Sequence, residues 1–393
     1  MILFVDSVSG YSFHIPQDAE LGTDLSNCFV EIELQVLRKD GNKLTLYKDQ
    51  TRGGDYEKIQ PANDFFNTLF SDIEVLINGA VVGSFGGCFH PQMALLHNLL
   101  EYDELFQQAI LTNSNVFIKD QKYPANPPAI RYQFIDGSKR LKLFGRLNHN
   151  VFTTKRLLLP NVSVQIRMKR SSSAYCLIRT IGMPDEYKVV VHNCALHARR
   201  VLFKESILEK LKKYSTNNIA RFPYTKTSVI MYDIPQGMVT WRTPLQSAGP
   251  LARRAFFAIS EPASINGNNW ENNPMIFPAS HYEVNHIQFY SDHEDQLLHK
   301  PFKPDFANEN ANRSYAALVQ AATDGFRTGC APGLSCNDFV RQYGLFAVDD
   351  LQNYGAVNVE VGFKKETPKP LIGLLFFQGE DYFSIDNNGV RNR

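Results

Sequence analysis

The run Cys28-Phe29-Val30-Glu31-Ile32-Glu33-Leu34-Gln35-Val36-Leu37 alternates with a period of two. Cys28, Val30, Ile32, Leu34 and Val36 fall on one face. Glu31, Glu33 and Gln35 fall on the other. Only an extended strand sends successive side chains to opposite sides, so the run reads as a half-buried antiparallel strand. The same pattern recurs outward along the chain. Ile73, Val75 and Ile77 alternate with Asp72 and Glu74 and lead into Asn78-Gly79. That dipeptide tolerates positive φ at both positions and predicts a type I′ hairpin, with Val81-Val82 starting the return strand. Val162, Val164, Ile166 and Met168 alternate with Ser163, Gln165, Arg167 and Lys169. Val357, Val359, Val361 and Phe363 alternate with Asn358, Glu360 and Lys364.

Further strands are predicted near Lys188–Ala198, Ser228–Ile234, Arg254–Ile259, His286–Tyr290 and Leu371–Phe377. The last is apolar throughout, as in a strand covered on both faces. Helices are few. Leu95, Leu99, Tyr102, Phe106 and Ala109 form one apolar stripe and predict a helix over 91–110, with Pro91 in its first turn. Shorter helices are predicted at Ser206–Lys213, where Ser206 and Glu209 match a capping box, and at Asn312–Ala322. Many short strands, long loops and small helices recur across two halves without a sequence repeat. A boundary is placed at Gly182-Met183-Pro184-Asp185, giving units 1–185 and 186–393. Each half has the roughly 150–200 residues that an eight-stranded sandwich with loops requires. The predicted fold is all-β, two tandem antiparallel eight-stranded sandwiches with a few short inserted helices.

Composition agrees. The 393 residues are 44% hydrophobic, enough to bury two cores. The aromatics are 28 Phe and 17 Tyr against 2 Trp, and single-ring aromatics favour strands. The 41 basic and 40 acidic residues nearly cancel, unlike a protein that coats nucleic acid and must neutralise many phosphates. The doublets Lys169-Arg170, Arg199-Arg200, Arg253-Arg254 and Lys364-Lys365 are scattered, and read as strand ends or subunit contacts. Cys28, Cys88, Cys176, Cys194, Cys330 and Cys336 do not form the dense framework of a secreted scaffold. Only Cys330 and Cys336 are close enough in sequence for a disulfide to be an open alternative; thiols kept reduced in a cytosolic compartment are the preferred expectation. Asn161-Val162-Ser163 and Asn312-Arg313-Ser314 are formal glycosylation sequons. The opening Met1-Ile2-Leu3-Phe4-Val5 meets Asp6 too soon for a signal peptide. No apolar run reaches membrane-spanning length.

A catalytic signature is missing: no phosphate loop, nucleophile elbow or dinucleotide fingerprint. In His293-Glu294-Asp295-Gln296-Leu297 the fifth position is Leu, so two ligands cannot share a helix face. His192 and Cys194 on a strand share a face, with His197 opposite, so the three are not expected to converge on zinc. His281 and His286 likewise are placed on opposite strand faces. A glycosidase carboxylate pair stays open on sequence alone. The expectation is no enzyme, no metal and no cofactor.

A resemblance adds to this reading. The stretch Asn63 to Gly79, with Phe65, Leu69-Phe70-Ser71, Val75 and Asn78-Gly79, resembles a motif of the major capsid proteins of adintoviruses and Polinton (Maverick) elements. Leu95-Leu96-His97-Asn98-Leu99-Leu100-Glu101-Tyr102 resembles the helix that follows it in that family. Gly145-Arg146-Leu147-Asn148 and Arg156-Leu157-Leu158-Leu159-Pro160-Asn161-Val162 are similar to its next segment. So are Pro244-Leu245 through Ala258, Asn272-Asn273-Pro274-Met275-Ile276-Phe277 and Tyr382-Phe383-Ser384-Ile385-Asp386-Asn387. The matches run in order over about residues 20–388. Two departures stand out. The family's arm before the first strand is expected to be missing here, and the arginine near the end is displaced to Arg391.

The resemblance implies a double jelly-roll major capsid protein. Three subunits would form a pseudo-hexameric homotrimer that tiles an icosahedral shell beside neighbouring capsomers. A single jelly-roll penton protein would be a partner. The protein would be made in host cytoplasm and reside in the virion. Long loops at Asp120–Ile130, Asn266–Pro278 and Gly325–Asp338 would form towers and trimer contacts. Arg199, Arg200, Arg253 and Arg254 are the candidate interface residues, since guanidinium groups bind carboxylates bidentately. A carbohydrate-binding or hydrolytic β-sandwich is the alternative, and would call for exposed aromatics beside paired carboxylates. Trp241 and Trp270 are far apart in sequence and lend it little. A domesticated viral gene kept by an animal host is a third reading.

Overall fold

The computed structural model describes residues 4–7, 10–46, 59–83, 89–119, 129–179, 186–247, 252–266, 273–291, 298–323, 332–351, 356–386 and 389–392. Cys88, Trp270, the boundary residues 182–185, His293–Leu297 and Cys330 lie outside them, as do large parts of the three predicted tower loops. Every strand pairing in the described sheets is antiparallel.

The first sandwich has one sheet ordered Phe4–Ser7, Gly10–Ile15, Val164–Arg170, Phe70–Ile77, Ala80–Val81. Its second sheet is Tyr187–Leu202, Leu21–Arg38 and Leu141–Arg146. Phe13, Val75 and Ile166 from the first and Val30, Ile32 and Leu143 from the second share one buried cluster. The alternation predicts this register: Cys28, Val30, Ile32, Leu34 and Val36 are all fully buried. The hairpin also forms as read. Asn78 and Gly79 have φ of 49° and 83°, and Ala80–Val81 pairs back on Leu76–Ile77. Asn78 Oδ1 accepts from the Ser163 N–H at 2.8 Å, which ties the turn to the neighbouring strand.

In the second sandwich, Ala220–Ile234, Leu371–Asp386, Ala252–Ser260 and Leu345–Val348 form one sheet, extended by Gly389–Asn392 on Leu371–Asp386. Opposite it, Ala356–Phe363 pairs with Thr240–Arg242, Gln246–Ser247 and Val284–Ser291. Leu371 to Gln378 is buried without interruption, as its apolar run predicts. Helix His90–Leu100 contributes Met93, Leu95, Leu96 and Leu99 to the same core, with Phe256, Phe277 and Phe376.

Three sequence expectations are corrected. The helix expected over 91–110 is two pieces: His90–Leu100, then a helical run from Glu104 to Asn115 with a π turn at Gln107–Leu111. Asp103 restarts the helix by accepting the Phe106 N–H at 2.7 Å. The capping box at Ser206 is not made, because the helix begins at Glu205 and Lys204 holds the cap position without a side-chain bond. His281 sits in a short 3-10 turn, Ala279–Tyr282, rather than on a strand. The division near 185 also meets a structural fact. Tyr187–Leu202 pairs along its length with Leu21–Arg38, and its Tyr187, Val189, Cys194 and Leu196 lie in the first sandwich's buried cluster.

Candidate assembly surfaces and the seam between the sandwiches

The four candidate arginines separate by environment. Arg199 is exposed, with Nη1 3.9 Å from Asp24. Arg253 is half-exposed and lies 3.7 Å from Glu380. Ion pairs this long and wet contribute little to stability, so both guanidinium groups are available to a partner. Arg200 is turned inward and donates to the carbonyls of Pro16 and Leu21. Arg254 is committed within the chain: it donates to Gln378 Oε1 at 2.7 Å and to the Ala321 carbonyl, and lies over the Phe256 ring. A β-bulge between Ala252 and Arg254 separates the directions of the two neighbours.

A bulge also changes the reading of His192. It lies between Val191 and Asn193 and resets the alternation. His192 and His197 are therefore both exposed, beside Gln35 and Glu31, while Cys194 is buried in the core. The three do not converge, although the pairing of faces differs from the expected one. Among the described residues, no three His, Cys, Asp or Glu side chains are grouped to hold a metal ion. Cys28 and Cys176 are buried thiols whose pKa burial pushes up to about 12. No described helix is long and apolar enough to cross a membrane.

The most elaborate polar structure is the seam between the sandwiches. Asp64 is buried and left-handed at φ 55°, a conformation Asp tolerates. Its carboxylate accepts from Asn67, Asn98 and Asn115 at 2.7–3.1 Å, joining three helical segments. Burial lifts its pKa to about 6 against the pull of these amides. Asn63 donates to Tyr343 Oη of the second sandwich at 3.2 Å and accepts from the Ile118 N–H. Lys119 reaches Asp338 at 2.6 Å and the Gly333 carbonyl at 2.7 Å. Asn150 exchanges two bonds with the Thr227 backbone, at 2.9 and 3.0 Å. Beside it, His149 and His90 are buried, and burial holds both at about 3. Sequence reading missed these residues. Asn63-Asp64 stands directly before an apolar run and gives no local sign of contact with residue 343.

The cores interlock as well. Phe222, Tyr224 and Phe383, from strands of the second sheet system, lie in the first core, while Met93 to Leu99 lie in the second. Two antiparallel sandwiches in tandem, locked by a shared seam, are thus on view.

This is the double jelly-roll architecture. The chain aligns over its full length with a chain of the Sputnik virophage, at TM-score 0.61 and 11% identity, covering 88% of that chain. The mavirus major capsid protein aligns with 100% of this chain and 89% of its own at TM-score 0.55 and 10% identity. The Faustovirus major capsid protein aligns at TM-score 0.54 and 7% identity, over 97% of this chain and 88% of its own. At such identities the likeness establishes the fold. No family model matches the sequence, and no curated protein matches it. In the double jelly roll, the outer faces of both sandwiches carry chemistry suited to contacts. Phe144 is 45% exposed and stacks on Phe29 at 5.1 Å, with His197 edge-on. Arg242 lies 4.3 Å over the Tyr290 ring on the second sandwich.

Proposed function

We propose that the chain is a viral major capsid protein, working by assembly. The observation that carries this reading is full-length agreement with capsid proteins of virophages and large viruses, in both sandwiches and in order. The physical logic agrees. Antiparallel walls with closed cores are stiff, and their connecting loops are free to vary as contacts demand. A seam of buried polar bonds holds two such walls as one rigid block, as a shell tile needs.

Within this reading the chain forms a homotrimer with a six-sided outline, packs against neighbouring capsomers, and leaves the five-fold vertices to a separate single jelly-roll protein. Arg199 and Arg253 are its interface arginines. The motif set from Asn63 to Asn387 supports an origin among adintoviruses or Polinton elements. Near-neutral charge supports a wall that does not itself coat nucleic acid. Synthesis falls in host cytoplasm and residence in the virion. Light scattering on purified full-length protein tests the assembly: a species of three times the 44.6 kDa chain is expected. A stable monomer at micromolar concentration would overturn the trimer.

A further inference from the structure

We propose that the second sandwich carries an oxyanion site, for phosphate or a phosphate monoester, at the N-terminus of helix Asn312–Ala322. A cleft of about 450 Å³ opens there, lined by Lys300, Lys303, Asp305, Asn312, Arg313 and Ser314 among others. Three observations converge on it.

The helix is eleven residues long and begins uncapped: Ala311 in the cap position has no side chain to offer. Among the described residues, the N–H groups of Asn312, Arg313 and Ser314 have no acceptor. Unsatisfied N–H groups and the helix dipole together favour negative charge at this end. Ser314 supplies the second observation. It is 2% exposed, lines the cleft, and its hydroxyl has no hydrogen-bond partner among the described residues. Its oxygen stays in contact with the cleft and is free to bond an anion seated there. The third is charge. Lys300, Lys303 and Arg313 line the cleft against one carboxylate, Asp305. Asp305 itself is already engaged, by Asn308 at 2.7 Å and Lys364 at 3.8 Å.

The frame is preorganised. Phe302 and Ile287 exchange backbone bonds at 2.9 and 3.0 Å, which pins the approaching segment to a strand. Asp305 and Asn310 close the following turn with bonds at 2.8 and 2.9 Å. Arg313 straps the cleft wall by donating to the carbonyls of Lys300 and Pro301. A tetrahedral anion seated at the helix end would meet backbone N–H groups, the Ser314 hydroxyl and the Lys303 ammonium together. The cleft is several times larger than a bare phosphate, which leaves room for an ester substituent.

The test uses the full-length protein in its native assembly, titrated with inorganic phosphate and separately with glycerol 1-phosphate at constant ionic strength in chloride. Binding is read by calorimetry. Saturable binding of either probe is expected, weakened about tenfold by Lys303→Glu, which reverses an exposed charge. Ser314→Ala, which a helix tolerates, should weaken it several-fold. Binding of both probes identifies the ligand as a monoester or free phosphate; binding of inorganic phosphate alone restricts it to the free anion. No saturable binding, or binding that both variants leave unchanged, would overturn the proposal. A monomeric protein that still bound phosphate would break the assembly reading and leave this site standing.

Discussion

Gly145 shows how single residues set the packing. It lies mid-strand, where a Cβ would stand 2.5 Å from the Phe66 ring. The ring fills the space a side chain would occupy, and it is fully buried with no room to withdraw. Gly145→Ala should therefore cost about 1–3 kcal/mol, the range for an overpacked core. A lowered urea midpoint with unchanged slope is the expected result. His90 and His149 bear on pH. Both are held near 3 by burial, with His97 facing His90 and adding to its depression. Their unfolded forms take up protons near 6.5. Stability from these two is full above that value and lost as the pH falls toward 3. Asp64 acts in the opposite sense: its pKa is raised to about 6, so its share is largest in acid and declines as pH rises through 6. With two groups against one, stability should fall between pH 6.5 and 4. His149→Asn keeps an acceptor for the Val151 N–H and removes one titration, so its urea stability should vary less steeply with pH. Parallel curves for variant and parent would show that His149 titrates normally.

Among the elements, the broken helix over residues 90–115 is the most informative. An apolar stripe at spacings of three and four predicts one helix, yet Asp103 ends the run by capping a new one. Gln107 stitches the pieces, donating to the carbonyls of Asn98 and Tyr102 at 2.7 and 3.3 Å. The bends let Leu95 and Leu99 enter the second core, while Leu105, Phe106 and Ile110 are exposed. Asp103→Ala should cost about 1 kcal/mol, as for a lost N-cap. Faster amide exchange at Phe106 and its neighbours, with the strands unaffected, would show it. An unaltered exchange rate at Phe106 would show that the cap bond is not made in solution. The strand Tyr187–Leu202 teaches a related lesson: one bulged residue exchanges the faces of everything beyond it.

For the whole molecule, interlocked cores bear on folding. Removing either half strips apolar residues from the other's core and leaves Asn63 and Lys119 without their partners across the seam. The intact chain should therefore unfold in one thermal transition. Fragments 1–202 and 203–393, made separately, should lack the near-ultraviolet dichroism of packed aromatics. Two separated transitions in calorimetry, or two folded fragments, would show that the sandwiches are independent.

The sequence by itself determined the two-sandwich class and much of its register. Period-two alternation and the Asn78-Gly79 turn are local properties, written in neighbouring residues, and burial of one sheet face leaves no second choice of register. Helix Asn312–Ala322 was legible for the same reason. Strand ends were less so: Ser228–Ile234 is the end of a strand that starts at Ala220, because its earlier residues meet Leu371–Asp386 only in the folded sheet. The seam, the exchange of core residues and the cleft beside Ser314 were decided by tertiary structure. Each depends on residues brought together from distant parts of the chain, such as Asn63 with Tyr343. Nothing in the neighbourhood of either residue encodes which partner will close its hydrogen bond.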